Sequence, residues 1–327
     1  MENKFGWAFV GCGAIANVVA KDLEKSGRHA IVSVFSRTQS RAEEFAIKRN
    51  AKAYSSLADA VNDPAVQAVY IATPHSAHYK NILAALDCGK PILCEKSFTI
   101  NARQAKAVCE LAEKKNVFLA EAMWTRFNPL IIQLRELVAS GKLGKILSIS
   151  ASFCVPLAVS KPFVSPRVYK KEYGGGALLD LGVYPISFCQ MLLGSPDSVG
   201  VVGKTRDGID IDNALTLDYS TAKCALWASL TRLRSYTAKI VCENGAVTLP
   251  MFYRPSKMIV KLKGERAVVS RTKSSYVYEF DGVEKCVRAG KIQAEQIPHC
   301  DTIAVCEIMD DIRAQLDSKY SDELENL

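Results

Sequence analysis

The chain has 327 residues, 49% of them hydrophobic and 23% charged, with a formal net charge of +8 at pH 7. That is length for two ordinary domains and the balance of a core-forming protein, with no long block of like charge to suggest nucleic acid as a partner. No apolar run reaches the ~18 residues of a bilayer span, and the first residues lack a basic stretch followed by an apolar one, so neither a membrane nor a secreted protein is expected.

From the N-terminus, short apolar runs at 7–10, 30–36, 51–54, 65–72, 91–95 and 117–121 alternate with helical patterns at 15–25, 40–48, 56–62, 77–88 and 102–114. This rhythm predicts a doubly wound parallel sheet of Rossmann type over residues 1–122. After a helix at 129–139, Gly141 and Gly144 mark a change of period, and strands are expected at 146–153, 214–219, 224–230, 239–242 and 258–262. Residues 123–327 therefore read as an α+β domain built on a mainly antiparallel open sheet, with one buried helix at 177–193, a last helix at 300–316 and a frayed acidic tail after Ser318. Eleven cysteines are scattered from Cys12 to Cys306 with no Cys-x-x-Cys pair, and the four histidines show no cysteine-flanked or His-Glu-x-x-His pattern. A reduced, cytoplasmic protein without a metal site fits this usage better than a disulfide scaffold.

Gly11-Cys12-Gly13-Ala14-Ile15-Ala16 closes the first strand and opens a helix. In a dinucleotide fold the first glycine makes the tight turn and the second lets backbone approach a pyrophosphate. A small third residue lets the helix pack, and the helix N-terminus offers its free N–H groups to the phosphates. At the end of the second strand, where an acid would accept the ribose hydroxyls of NAD, the chain has Ser36-Arg37, with Arg41 one turn on. A hydroxyl and two guanidinium groups suit the 2′-phosphate of NADP, although arginines at a helix start are often only solvated. Three more segments follow strand ends: Thr73-Pro74 with His75 and His78, Glu95-Lys96, and Glu121-Ala122-Met123-Trp124-Thr125-Arg126-Phe127. In the second half, Gly174-Gly175-Gly176 leads into a helical run where Asp180 and Tyr184, four apart, share a face. A carboxylate and a phenol in so apolar a helix need a task or a partner, whether catalysis or one internal hydrogen bond.

Taken together, these segments make the chain resemble the glucose-fructose oxidoreductase and inositol dehydrogenase (Gfo/Idh/MocA) family, on the branch of the dimeric dihydrodiol dehydrogenases and NADP-dependent D-xylose dehydrogenases. The Trp-Thr-Arg-Phe and Gly-Gly-Ala-Leu-Leu-Asp-Leu-Gly-Val-Tyr strings carry the resemblance more specifically than the glycine motif does. It implies an NADP-dependent oxidoreductase that moves hydride between nicotinamide and a carbinol or carbonyl carbon of a small sugar, polyol or cyclic diol. Lys96 takes the place of the family's Glu-Lys-Pro lysine, with Ser97 where the proline stands, and Asp180 and Tyr184 fill the Asp-x-x-x-His/Tyr positions. Gly11, Gly13, Ala14, Ile15, Ser36, Arg37, Arg41, Thr73, Pro74, His78, Glu95, Lys96, Trp124 and Arg126 are the expected cofactor contacts. Lys96, Trp124, Phe153, Asp180 and Tyr184 are expected at the substrate.

In this reading Tyr184 accepts the hydroxyl proton. A phenol near pKa ~10 needs a neighbouring ammonium, assigned to Lys96, to act as a base at neutral pH. Asp180 would orient the lysine or a substrate hydroxyl. The resemblance also implies a homodimer formed through the open face of the second sheet. Two other readings share the fold: a nucleotide-binding sensor without turnover, and an NAD-linked inositol or amino-sugar dehydrogenase. Retention of Lys96, Asp180 and Tyr184 disfavours the first, and Ser36-Arg37 the second.

Overall fold

The computed structural model describes residues 4–156 and 166–326, which form two compact units. In the first, six strands are β1 (Phe5–Val10), β2 (His29–Phe35), β3 (Lys52–Tyr54), β4 (Ala68–Ile71), β5 (Ile92–Glu95) and β6 (Leu119–Ala122). All pair in parallel, in the order β3-β2-β1-β4-β5-β6. The helices between them are α1 (Ala14–Ser26), α2 (Gln39–Ile47), α3 (Leu57–Asn62), α4 (His75–Asp87) and α5 (Ala102–Lys115). Every residue of β1, β4, β5 and β6 is buried, because a parallel sheet covered on both faces allows no polar alternation. In α1 the buried Ala16, Val19, Ala20 and Leu23 form one stripe at helical spacing. Gly27, at φ 70°, returns its N–H to the Leu23 carbonyl and ends the helix. The strand order reverses between β1 and β4, which is where doubly wound sheets bind ligands.

The second unit begins with α6 (Trp124–Phe127), α7 (Pro129–Ala139) and β7 (Ile146–Cys154). A π-helical turn (Leu178–Gly182) then runs into α8 (Val183–Leu193), where a single α-helix is expected from sequence. The strands β8 (Ser198–Arg206), β9 (Ile209–Asp218), β10 (Lys223–Ser229), β11 (Ala238–Cys242), β12 (Gly245–Leu249), β13 (Lys257–Leu262) and β14 (Val268–Arg271) complete an eight-stranded sheet. Its order is β14-β13-β12-β11-β7-β10-β9-β8, antiparallel except where β7 and β10 pair in parallel. Alternation is clear in its centre: Cys224, Leu226 and Ala228 are buried while Ala225 and Trp227 are half-exposed. The helical segment packs so closely on the buried face that a Cβ at Gly182 would lie 3.3 Å from that of Ala228. Lys171–Leu193 is, against the sequence expectation, long and apolar enough on average to cross a bilayer, but 78% of its most apolar window is buried inside the protein. Its helical part, Leu178–Leu193, is the core helix of this unit.

The chain then returns to the first unit through Ser275–His299, with α9 (Val277–Arg288) supplying Phe280, whose ring lies 4.6 Å from that of Trp7 and 5.2 Å from that of Tyr70. Helices α10 (His299–Gln315) and α11 (Asp322–Glu325) end the chain. The tail is not frayed as expected. Tyr320 is buried, and Glu325 accepts from Arg313 Nη1 at 2.7 Å, because these polar groups find partners that the acidic sequence alone does not reveal.

Candidate functional site

In the first unit the glycine motif has the geometry its spacing implies. Gly11 sits at φ 103°, and a Cβ there would lie 2.7 Å from the Ala72 carbonyl oxygen, so only glycine fits this close approach of β1 to β4. Gly13 is the extended N-cap of α1 with no side-chain cap, and it is exposed together with Ala14, while Ile15 is half-buried. The helix therefore presents its first N–H groups outward. Asn17, unnoticed in the sequence, braces this loop: its amide donates to the Gly13 carbonyl at 3.0 Å and accepts from Arg49 at 3.1 Å. Burial pushes the Cys12 thiol up to about 11, partly opposed by its hydrogen bond with Ser36 and by the Arg49 charge. Arg37 and Arg41 are exposed around the start of α2 and make no ion pair among the described residues. An uncapped helix end, a glycine turn with no room for a side chain and two uncommitted guanidinium groups fit a dinucleotide carrying an extra phosphate.

The loops after β4 and β5 are tied together by His78, whose ring bridges the Ser97 carbonyl (Nδ1, 2.9 Å) and the Thr73 carbonyl (Nε2, 2.9 Å). Thr73 also accepts from Asn81 at 3.0 Å, and Pro74 is the N-cap of α4. His75 is buried beside His78, their rings 5.8 Å apart. The Lys96–Ser97 peptide bond is cis, and Lys96 is half-buried at the end of β5. Glu95 is buried; its Oε1 accepts the Tyr70 hydroxyl at 2.5 Å and its Oε2 lies 3.3 Å from the Lys96 amide nitrogen. Glu279 from α9 joins this cluster with both carboxylate oxygens buried and, among the described residues, without a hydrogen-bond partner. Burial and then the Glu95 charge hold its pKa well above the carboxylate range.

In the second unit Tyr184 lies within a patch of rings. The indole Nε1 of Trp124 donates to the Tyr184 hydroxyl at 3.3 Å. Phe153 lies 5.2 Å from the Tyr184 ring and stacks on Tyr253 at 4.2 Å, with Tyr236 5.5 Å away. Tyr253 follows a turn at Met251, φ 51°, and neither it nor Tyr236 stands in a motif that sequence reading could use. Asp180, on the π-helical turn, is half-buried. Such turns widen a helix by one residue and recur at functional sites. Arg126, assigned to the cofactor by the family resemblance, directs its guanidinium to protein partners. Nε donates to Ser187 Oγ at 2.9 Å, Nη1 to Asp301 at 2.5 Å, and Nη2 to the Ser187 carbonyl and Gln190 at 3.0 and 2.6 Å. Its observed work is to tie α6 to α8 and α10.

Comparison with known proteins agrees with this architecture. The model of an oxidoreductase family with an NAD-binding Rossmann fold matches residues 5–123, and that of the GFO/IDH/MocA C-terminal domain matches 131–248. The chain is 33% identical to the D-xylose 1-dehydrogenase (NADP(+)) of Hypocrea jecorina, over 94% of this chain and 91% of that one. It is 31% identical to the trans-1,2-dihydrobenzene-1,2-diol dehydrogenase of Mus musculus, over 94% and 95%. Among solved structures, an aldose-aldose oxidoreductase from Caulobacter crescentus complexed with glycerol superposes with a TM-score of 0.84 at 18% identity, covering 97% of this chain and 98% of that one. A 3-ketoreductase from Actinomadura kijaniata in complex with NADP and TDP-benzene gives 0.80 at 21% identity, over 95% and 97%. From its glycine turn to its second sheet, the chain belongs to the Gfo/Idh/MocA oxidoreductase family.

Proposed function

We propose that the protein is an NADP-dependent oxidoreductase of CH–OH groups, acting on a small sugar, polyol or cyclic diol. The observation that carries this reading is the Tyr184 hydroxyl set among the rings of Trp124, Phe153 and Tyr253. A proton-handling group bordered by ring faces suits a substrate whose hydroxyl edge is polar and whose C–H face is apolar. Gly11, Gly13, Ala14 and Ile15 would hold the pyrophosphate, and Ser36, Arg37 and Arg41 the 2′-phosphate. NADP, when bound, supplies the hydride acceptor at nicotinamide C4. As hydride leaves the carbinol carbon, the hydroxyl proton passes to Tyr184 Oη, and in carbonyl reduction Tyr184 returns it to the nascent alkoxide. Lys96 shares this proton-handling and Asp180 orients the substrate hydroxyl.

The test is turnover of purified protein on aldoses, inositols and aromatic diols with NADP and NAD, followed by absorbance of the reduced cofactor. Oxidation with NADP is expected on at least one class. Tight NADP binding with no turnover on any would leave a sensor of the same fold.

The homodimer of this reading uses the sheet face carrying Ser150, Ala225, Trp227 and Val241, apolar or small side chains left half-buried or exposed. Ala225→Arg is expected to turn a sedimenting dimer into a monomer at micromolar concentration. A wild-type monomer at that concentration would contradict the assignment.

A further inference from the structure

Before the π-helical turn the chain runs through Gly174, Gly175 and Gly176, two of them at positive φ (68° and 129°). Three successive glycines leave this stretch with the largest conformational freedom a backbone can have, so its single arrangement must be imposed from outside. The three glycine N–H groups donate to the Lys171, Lys170 and Val168 carbonyls at 2.9, 3.1 and 2.9 Å, and two buried polar side chains hold the turn from farther along the chain. Asp210, on β9, accepts the Leu178 N–H at 2.6 Å through Oδ2, which also accepts from Asn213 Nδ2 at 2.6 Å. Its Oδ1 faces Gly176 so closely that a Cβ there would collide with it. From the other end of the sequence, the Tyr320 hydroxyl donates to the Gly175 carbonyl at 2.5 Å. Gly176 continues the chain of contacts, its carbonyl accepting the Asp180 N–H at 3.2 Å.

Tyr320 is itself held on several sides. The Arg313 guanidinium lies 5.0 Å over its ring. Arg313 pairs with Asp310 at 2.9 Å and with Glu325 at 2.7 Å. The same Glu325 accepts the Tyr320 N–H at 3.0 Å, and the Asn101 amide donates to the Glu325 carbonyl at 3.0 Å. The end of the chain is thus a strap whose buried contacts lead to one glycine turn. Burying a carboxylate and a phenol is costly, and both direct their bonds to the backbone immediately ahead of Asp180 and Tyr184.

We propose that Asp210 and Tyr320 are positioning residues for the reaction: they clamp the glycine turn and so fix the segment that bears Asp180 and Tyr184. The proposal rests on the role given to Tyr184 above. Neither residue carries chemistry. Each acts through the register of the turn, where a shift of about 1 Å is enough to cost as much as a hundredfold in rate.

The experiment compares Tyr320→Phe, Asp210→Ala, Asp210→Asn and Tyr184→Phe in the full chain. It measures kcat and KM on the best substrate, NADP affinity by fluorescence titration, and Tm. Tyr320→Phe and Asp210→Ala are expected to lower kcat by about tenfold to a hundredfold well below their Tm, with NADP affinity unchanged. Asp210→Asn, whose amide oxygen still accepts the Leu178 N–H, is expected to recover most of the loss. A folded Tyr320→Phe protein with wild-type kcat would overturn the proposal. So would a fall in NADP affinity that matches the fall in kcat, or a failure of Asn to restore what Ala removes. Full kcat in Tyr184→Phe would instead sink the underlying assignment of Tyr184, whatever the clamp does.

Discussion

Replacing Glu279 by Gln tests the buried acid cluster of the first unit directly. The carboxyl group is fully buried and has no hydrogen-bond partner among the described residues, while Glu95 and Tyr70 lie near enough to interact with it electrostatically. Two carboxylates cannot both stay charged there, and Glu279 is the one held neutral: burial raises its pKa, and the charge on Glu95 raises it further. In the unfolded chain the same group ionises near the ordinary value of ~4.3. Below that pH both states are protonated and folding carries no penalty from this group. Above it the unfolded state gives up a proton that the folded state keeps. Stability is then lost at about 1.4 kcal/mol per pH unit until the folded group itself ionises. Glutamine mimics the neutral acid and has no such slope. Its amide costs about 1–3 kcal/mol if its donors stay unpaired, but that cost is the same at every pH. Urea unfolding of wild type and variant at half-unit steps from pH 5 to 8 should therefore show the difference moving steadily in the variant's favour as pH rises. Parallel stability curves would refute this, since Glu279 would then bind the same number of protons folded and unfolded.

The NADP assignment predicts that Arg37→Ala weakens NADP binding by ~1–3 kcal/mol and leaves NAD nearly unchanged, as isothermal titration would show; equal losses for both would refute it. Tyr184→Phe should keep NADP affinity and lower kcat by ~10²–10⁴, and Lys96→Met should do similar damage. The double variant should lose far less than the product of the two, since groups acting as a unit are not additive; strictly multiplicative losses in steady-state rates would separate their roles. Arg126→Leu should destabilise the fold by ~3–5 kcal/mol in denaturant titration by leaving Asp301 and Gln190 without their cation, and an unchanged midpoint would contradict the tie between α6, α8 and α10.

The parallel sheet was readable because continuous apolar strands and amphipathic helices obey different periods, and the glycine turn because β1 meets Ala72 too closely for any side chain. What escaped was written in weaker patterns. The edge strand β8 is exposed along most of its length and carries Gly200 and Gly203, so it shows no alternation. Strand β9 begins at Ile209, five residues before the expected start, because Asp210, Asp212 and Asn213 disguise it. Helix α9 buries Val277, Phe280, Val283 and Cys286 on one stripe, but Gly282 interrupts its helical signal. At the site, Asp180, Tyr184 and Trp124 stand in recognisable strings, whereas Tyr253, Asp210 and Tyr320 act through contacts 32 to 145 residues distant along the chain. Local spacing carries no trace of such pairings.

The return of Ser275–His299 to the first unit has a consequence for how the protein is made. When a ribosome has released the chain through Ser274, all six parallel strands are already outside, yet Trp7 and Tyr70 still lack the Phe280 ring that lies 4.6 and 5.2 Å away in the finished fold. The N-terminal module must therefore wait, partly uncovered, while the whole second sheet is synthesised. A gene truncated after the family-matched residues 5–123 yields a sheet with an open apolar seam, a target for chaperones. Anyone transplanting this module into a chimera has to carry two separate stretches of coding sequence.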